Sequence, residues 1–472
     1  MSTPTSDRPL GFWSATAAVV ATMIGAGIFG ATGGFAHELG SDGLVLLVWL
    51  ACGLLALTGA LSLGELGAML PLSGGCYAYN RHLYGETAGY LSGVLSWLLA
   101  FVGALAYITL LLGHYVQFFL PDVPIVLTAT IVIVLLTILH CVGLREGNWM
   151  NNAFTLFKVG VILAFIIAGF SSPARAEPHM LIQPQGIFSS PFASAMISAS
   201  FAYLGWETAT WIAGDLKDPQ RNLPRSLIAG TAFVTGLYIL LNLVFLRAQS
   251  AATMEGSIDS IGLHAAGLLF TGNVITWFNG MIIAVLLSTT STILMVGSRI
   301  LAAMAKDGQL PAALAKTTSR EAPVNALRVQ ALCTIAFVCA ASSHGNADNI
   351  LVLIGMPTTV IMGAAVTGVL ILRRREPDTE RPFRVPLYPL PPILFLGLAV
   401  WMLIATVQYK WQATIGSVIL VTIIWALKPL LAKGGTSSTS SPTQPSSPQA
   451  THREPLHSLL SLSILLPLSL SL

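Results

Sequence analysis

Charge is scarce: Asp, Glu, Lys and Arg make up 9% of the 472 residues, while 54% are apolar and the mean hydropathy is +0.76. A soluble domain carries about 25% charged residues, so a water-soluble fold is excluded. Cysteine is also rare. The five present, Cys52, Cys76, Cys141, Cys333 and Cys339, form no CxxC pair and no metal-ligand spacing, which argues against a disulfide framework and against zinc. No GxxxxGK[ST] and no HExxH occurs, which removes direct ATP hydrolysis and the commonest zinc-protease signature. No cofactor, metal or nucleic-acid partner is implied, and no enzyme activity. A channel is disfavoured because no ring-forming filter sequence is present.

Long apolar runs dominate instead. A transmembrane helix takes roughly 20 apolar residues, and the punctuation of the chain predicts twelve spans near residues 11–36, 43–69, 88–119, 123–143, 150–170, 191–213, 226–247, 266–304, 325–342, 347–372, 391–408 and 412–430. The runs lack period-2 alternation, so the expected fold is an all-α integral membrane protein rather than a barrel. The first run extends past Gly30 without a small-residue cleavage site and reads as a retained helix, not a signal peptide. With the amino terminus inside, nineteen of the 23 Lys and Arg fall on that face, only Arg175, Arg247 and Lys410 fall opposite, and Lys158 lies within a span. Both termini are therefore expected in the cytoplasm, in the cell membrane. The run Arg373 to Arg375 reads as a topological anchor or as a site for anionic lipid. The chain divides into a short amino terminus (1–10), the span region (11–430) and a tail (431–472). Ser, Thr, Pro and Gln fill the tail before a Ser/Leu-rich end, and it reads as disordered, with Pro467 opposing a thirteenth span.

Two spans are interrupted at mid-depth, by Met23-Ile24-Gly25-Ala26-Gly27-Ile28-Phe29-Gly30 in the first and by Phe201-Ala202-Tyr203-Leu204-Gly205-Trp206-Glu207 in the sixth. Small residues in a span also serve close helix packing. The positions matter here, because spans 1 to 5 and 6 to 10 then form equivalent five-helix units, each opening on a broken helix. Such pairs point to the substrate site of an inverted-repeat transporter. An unwound helix frees N–H groups at one half-helix start and C=O groups at the other half-helix end. A zwitterion fits both: a carboxylate accepting at Ala26 and Gly27, an ammonium donating to carbonyls at Met23, Phe201 and Leu204. At Gly25 and Gly27 no Cβ blocks the turn or the ligand. The candidate substrate residues are thus Met23, Gly25, Ala26, Gly27, Phe201, Ala202 and Leu204, with Phe201 as an aromatic gate or as ordinary packing.

These segments resemble the APC (amino acid-polyamine-organocation) superfamily of permeases, nearest its L-type amino-acid transporter and bacterial amino-acid permease branches. The resemblance runs from 11 to 430 and rests on GAGIF (25–29), PLSGGCYAYNRHLYG (71–85), FAYLGWETATWIAGDLKDPQRNLPRSL (201–227), SRILAAMAKDGQLP (298–311) and EPDTERPFRVPLYPLPP (376–392), in order. It implies two inverted five-helix repeats plus two extra helices, working by alternating access.

Lys158 is the one cation deep in a span, where charge is costly and function is the default reading. The alternative is a lysine snorkelling toward Asn148, Asn151 and Asn152. The resemblance implies that Lys158 substitutes for a sodium ion between spans 1, 5 and 8, bonding the span-1 break and the hydroxyls of Ser288, Thr289, Ser291 and Thr292, so that transport is sodium-independent. Glu207 follows the span-6 break. By resemblance it is a protonation-sensitive gate element; by local structure it caps the second half-helix. Glu65 in the second span carries a weaker signal.

The resemblance also places Ala104 and Ile293 where arginine exchangers hold a guanidinium. Neither can hold a cation, which favours a neutral side chain. The expected function is a secondary transporter of a neutral amino acid, sodium-independent and coupled to protons or working by exchange. The alternatives are an amino-acid sensor built on the same fold and a cationic amino acid or polyamine exchanger. The partners implied are the amino acid, the lipid bilayer and protons; the sequence carries no signal for an oligomeric state. His37 and Asp42 match H-x4-D by chance, with no catalytic neighbour.

Overall fold

A computed structural model describes residues 8, 10–25, 27–142, 144–177, 180, 182, 184–187, 189–254, 261–270, 272–318, 322–342, 347–409 and 411–432. Two compact units divide the chain, 1–435 and 436–472; the second, and with it nearly all of the expected tail, lies outside the described residues.

The regular elements of the described residues are helices, with one isolated parallel pairing of Leu10 with Leu216, and turns and loops join them. In chain order the helices are α1 (Phe12–Met23), α2 (Gly27–Leu39), α3 (Asp42–Met69), α4 (Cys76–Tyr84), α5 (Glu86–Leu95), α6 (Ala104–Gln117), α7 (Ile125–Val142), α8 (Leu144–Ser171), α9 (Pro184–Ile187), α10 (Ser190–Ala202), α11 (Thr208–Trp211), α12 (Pro219–Ala248), α13 (Ile261–Leu269), α14 (Val274–Lys306), α15 (Val324–Ser342), α16 (Ala347–Arg375), α17 (Leu390–Tyr409) and α18 (Trp411–Ala432). A π-helical stretch, Ser96–Gly103, joins α5 to α6.

Among the described residues eight helices are long and apolar enough to cross a membrane, and α1 with α2, meeting at 41°, make a ninth. Shorter apolar stretches lie in α15 (Val324–Ala340) and α18 (Thr414–Pro429). The expected sixth span, 191–213, is not one helix, since α10 ends at Ala202 and α11 begins at Thr208. The expected eighth, 266–304, is also two elements: α13 ends at Leu269, and Gly272, with φ +84°, turns the chain into α14.

Local chemistry sets the helix ends. Ser41 caps α3 by accepting from Leu44 N at 3.3 Å, and Ser189 caps α10 by accepting from Phe192 N at 3.2 Å. Pro219 opens α12, where its missing N–H costs nothing. The most extensive helix pair is α3 with α12. Gly53 and Gly67 on α3 admit Thr235 and Leu223 of α12, and Gly230 admits Val19 of α1. Close approach of this kind is how helices associate in lipid, where the hydrophobic effect between helices is lost. It gathers α1, α3, α10 and α12 around the two breaks. Asp42, half of the H-x4-D coincidence, accepts from Ala251 N at 2.6 Å and from Ser250 Oγ at 3.0 Å, a tie between the ends of α3 and α12.

Candidate substrate site

The first break begins at Ile24, whose backbone is extended (φ −76°, ψ 93°), and ends where α2 starts at Gly27. Ala26, expected to face the carboxylate, lies outside the described residues. The second break runs from Tyr203 to Glu207 as successive turns, Leu204 N donating to Phe201 O at 3.2 Å and Thr208 N to Gly205 O at 3.0 Å. Gly205 has φ +102°, a region L side chains avoid, and a Cβ there would stand 2.6 Å from Thr22 Cγ2 on α1.

The two breaks touch. A Cβ on Gly27 would lie 2.9 Å from Ala202 Cβ, so the start of α2 rests directly on the end of α10. Tyr238 of α12 completes the junction: its hydroxyl lies 2.7 Å from Met23 O and 2.9 Å from Ala202 O, the last residues of α1 and α10. One phenol thus serves the terminal carbonyls of both half-helices. Sequence reasoning passed over Tyr238, although a tyrosine one turn before Asn242 inside an apolar span was a visible signal.

Lys158 is fully buried on α8. Its ammonium donates to Ala21 O at 2.9 Å, to Ile24 O at 2.8 Å and to Thr289 Oγ1 at 2.8 Å. This geometry replaces the snorkelling reading, since the nitrogen turns into the break and not toward an end of the helix. Thr289 Oγ1 also lies 2.8 Å from Ile24 O and 3.0 Å from Val285 O. With its one proton directed to either carbonyl, the oxygen accepts from Lys158. Nζ thus meets two carbonyls and one hydroxyl oxygen, and an ammonium satisfies all three with its three donors.

The other three expected hydroxyls point elsewhere, because a helix turns about 100° per residue. Ser291 Oγ is 2.9 Å from His140 Nε2, Thr292 is bonded to Asn151 Oδ1 and to Ser288 O, and Ser288 Oγ has no partner among the described residues. Glu207 is buried at the N-cap position of α11, and its side chain makes no capping bond to that four-residue helix. Its Oε2 has no partner among the described residues.

Phe201 is half-buried, and with Ile197 and Ser200 it forms one face of α10. That face, with Met356 and Thr359 of α16 and Met402, Leu403 and Thr406 of α17, lines a narrow crevice of about 20 Å³, with no charged residue among those that line it. Sequence reasoning missed the α16 and α17 residues, which carry no polar signature of their own. Ala104 opens α6 directly after the π-helical stretch, and Ile293 is buried on α14 with its carbonyl accepting from Gln330 Nε2 at 3.2 Å. Among the described residues no hydrogen bond joins either one to the breaks.

The remaining motifs converge below the second break. Gly74 N and Gly75 N donate to Trp211 O and Thr210 O, and Gly214 N donates to Ser73 Oγ. Asp215 pairs with Arg299 of α14. Leu10 N donates to Asp215 O at 3.1 Å, and Lys217 N donates back to Leu10 O at 2.8 Å. Asp307 holds Tyr77 OH at 2.7 Å and Arg81 at 2.6 Å, and Glu86 lies 2.9 Å from Arg81. The bonds to Glu86, reinforced by Asp307, hold the Arg81 guanidinium above its ordinary pKa, and burial together with Asp307 pushes the Tyr77 phenol up. Glu65, buried on α3, accepts from Arg373 at 2.8 and 2.6 Å and from Val385 N at 2.6 Å, so the first arginine of the basic run is spent within the protein.

Comparison with known proteins agrees in extent and kind. The profile of the family described as "Amino acid permease" matches residues 10–427. The chain is similar to the "Large neutral amino acids transporter small subunit 2" of Homo sapiens, 30% identical over 84% of this chain and 75% of that protein. It is also similar to the "Asc-type amino acid transporter 1" of Mus musculus (27%; 89% and 82%) and to the "b(0,+)-type amino acid transporter 1" of Mus musculus (25%; 86% and 84%). With its broken helices in contact and its length matched almost throughout, the chain belongs to the amino acid permease family of the APC superfamily.

Proposed function

We propose that this permease carries a neutral amino acid across the cell membrane by alternating access, through a site at the contact of the two broken helices. The observation that carries the reading is the junction itself: Gly27 against Ala202, with Tyr238 bonded to the carbonyls that end α1 and α10. A ligand with one anionic and one cationic group is what paired half-helix ends recognise. The uncharged lining of the narrow crevice beside Phe201 supports a substrate with an apolar or small neutral side chain, since a buried unpaired charge is expensive. The names of the similar proteins include large neutral amino acids, which agrees with that class.

The architecture we infer has twelve spans: the nine helices or helix pairs of full length, α15, α18, and α10 with α11 as a second broken span. Spans 1 to 5 and 6 to 10 are read as inverted repeats, with both termini cytoplasmic.

Lys158 stands in this reading where a sodium ion would otherwise bridge spans 1, 5 and 8, and transport is sodium-independent. Its three engaged donors favour a fixed cation that holds the helices together. Glu207, with one carboxylate oxygen unpartnered among the described residues, is then the better candidate for the proton that enters the cycle.

Radiolabelled uptake into proteoliposomes tests the whole reading. Leucine and alanine uptake should proceed without sodium and be competed by neutral amino acids. A sodium requirement would remove the role given to Lys158, and selective inhibition by arginine would replace the neutral substrate by a cationic one. Binding without flux would make the protein a sensor.

A further inference from the structure

Most hydroxyl side chains on these helices bond within their own helix, to the carbonyl four residues earlier, as Thr16, Thr22, Thr130 and Thr155 do. Thr32, on α2 just beyond the first break, does otherwise. Its hydroxyl donates to Asn242 Oδ1 on α12 at 2.6 Å and accepts from Trp49 Nε1 on α3 at 2.9 Å. Asn242 in turn donates to Tyr238 O, one turn back on its own helix, at 2.8 Å. Thr32, Trp49, Tyr238 and Asn242 are all buried. Trp49 also packs edge-on against Tyr238, with ring centres 5.3 Å apart, and its carbonyl accepts from Tyr203 OH of the second break at 2.8 Å.

The two polar residues of α12 therefore grip opposite sides of the first break. Tyr238 bonds the last carbonyl of α1, and Asn242 bonds Thr32, the sixth residue of α2. They stand four residues apart, a rise of about 6 Å along one helix face. We propose that Thr32, Asn242 and Trp49 are positioning residues that fix the separation of the two halves of the first broken helix, with α12 as the ruler, and so set the width of the cradle offered to the substrate. The inference rests on the reading of the breaks as the substrate site. It assigns no contact with substrate to these three residues; they act through the spacing of the half-helices.

Thr32→Val keeps the shape and removes both hydrogen bonds, and Thr32→Ser restores them. Interhelical hydrogen bonds in membranes are individually modest, so the KM for leucine in proteoliposomes should rise about three- to tenfold in Thr32→Val with kcat less affected. It should return to the parent value in Thr32→Ser. Asn242→Leu should raise KM similarly, and the double variant should do no more than either single one. A second readout does not depend on transport: spin labels at the exposed positions Trp13 on α1 and Glu38 on α2 should give a broader distance distribution in Thr32→Val than in the parent, in nanodiscs without substrate. An unchanged KM with a lowered melting temperature would reduce the cluster to ordinary packing and overturn the inference, as would unchanged distances. Absence of uptake in the parent together with broadened distances would sink the assigned substrate site and leave the ruler standing.

Discussion

At the scale of single residues, the three acceptors around Lys158 decide what its replacement does. Lys158→Met keeps most of the volume but withdraws a cation from Ala21 O and Ile24 O. A hydrogen bond to a charged group contributes about 1.5–3 kcal/mol net, and 1.4 kcal/mol is tenfold in an equilibrium constant. Uptake should fall at least about tenfold, while size-exclusion profiles in detergent remain monodisperse; uptake within twofold of the parent would show that the ammonium holds nothing that transport needs. Arginine should not rescue, because its planar fork cannot converge on three acceptors as an ammonium does. Lys158 was legible in the sequence because a lone cation in an apolar run has no cheap explanation. Its partner among the hydroxyls was less so, since five adjacent Ser and Thr residues look alike until helical phase turns Thr289 toward α8 and Ser291 toward His140.

At the scale of elements, the glycines of the breaks separate packing from ligand access. Gly205 holds φ +102° against Thr22, so Gly205→Ala combines a backbone penalty of about 1–3 kcal/mol with a clash. Its melting temperature should drop by several degrees whether or not substrate is present. Gly27→Val collides with Ala202 and should do the same, so loss of uptake in that variant would not by itself identify a carboxylate cradle. Gly25 differs, since a Cβ there meets only Thr289 Cγ2 at 3.8 Å, an ordinary contact. Gly25→Ala should therefore keep the parent's melting temperature and weaken substrate affinity, as measured by scintillation proximity; unchanged affinity would remove Gly25 from the site. Both breaks were legible as glycine-bearing interruptions at matching places in the two halves. That they touch was not, because Gly27 and Ala202 are far apart in sequence and nothing in either segment names the other. The crevice residues Met356 and Met402 were invisible for a related reason: apolar residues on apolar helices carry no contrast until the helices are packed.

At the scale of the whole molecule, motifs far apart in the chain close over one side of the second break. Leu10 is paired with Leu216, Asp215 with Arg299, and the loop at Ser73 to Gly75 with α11. In the proposed alternating-access cycle, a swing of α1 away from α12 would part the Leu10 pairing and a movement of α11 would part Asp215 from Arg299, so these contacts would hold that side closed. Surface ion pairs alone contribute little, but Arg299 is nearly buried and the backbone pairing adds two further bonds. Cys76 provides a native reporter: it is fully buried at the start of α4, beside the same loop. In a variant with the other four cysteines replaced by serine or alanine, a membrane-impermeant maleimide applied to this side should label Cys76 slowly. Asp215→Asn and Leu10→Pro should each raise the labelling rate about three- to tenfold, the range expected when a contact of about 1 kcal/mol is removed from a two-state equilibrium. Saturating leucine should change the rate in the parent, because a ligand that binds the two arrangements unequally shifts their populations. A labelling rate unmoved by both variants would mean that the amino-terminal pairing and the Asp215–Arg299 contact stay together through the transport cycle, and that the opening of this side lies elsewhere.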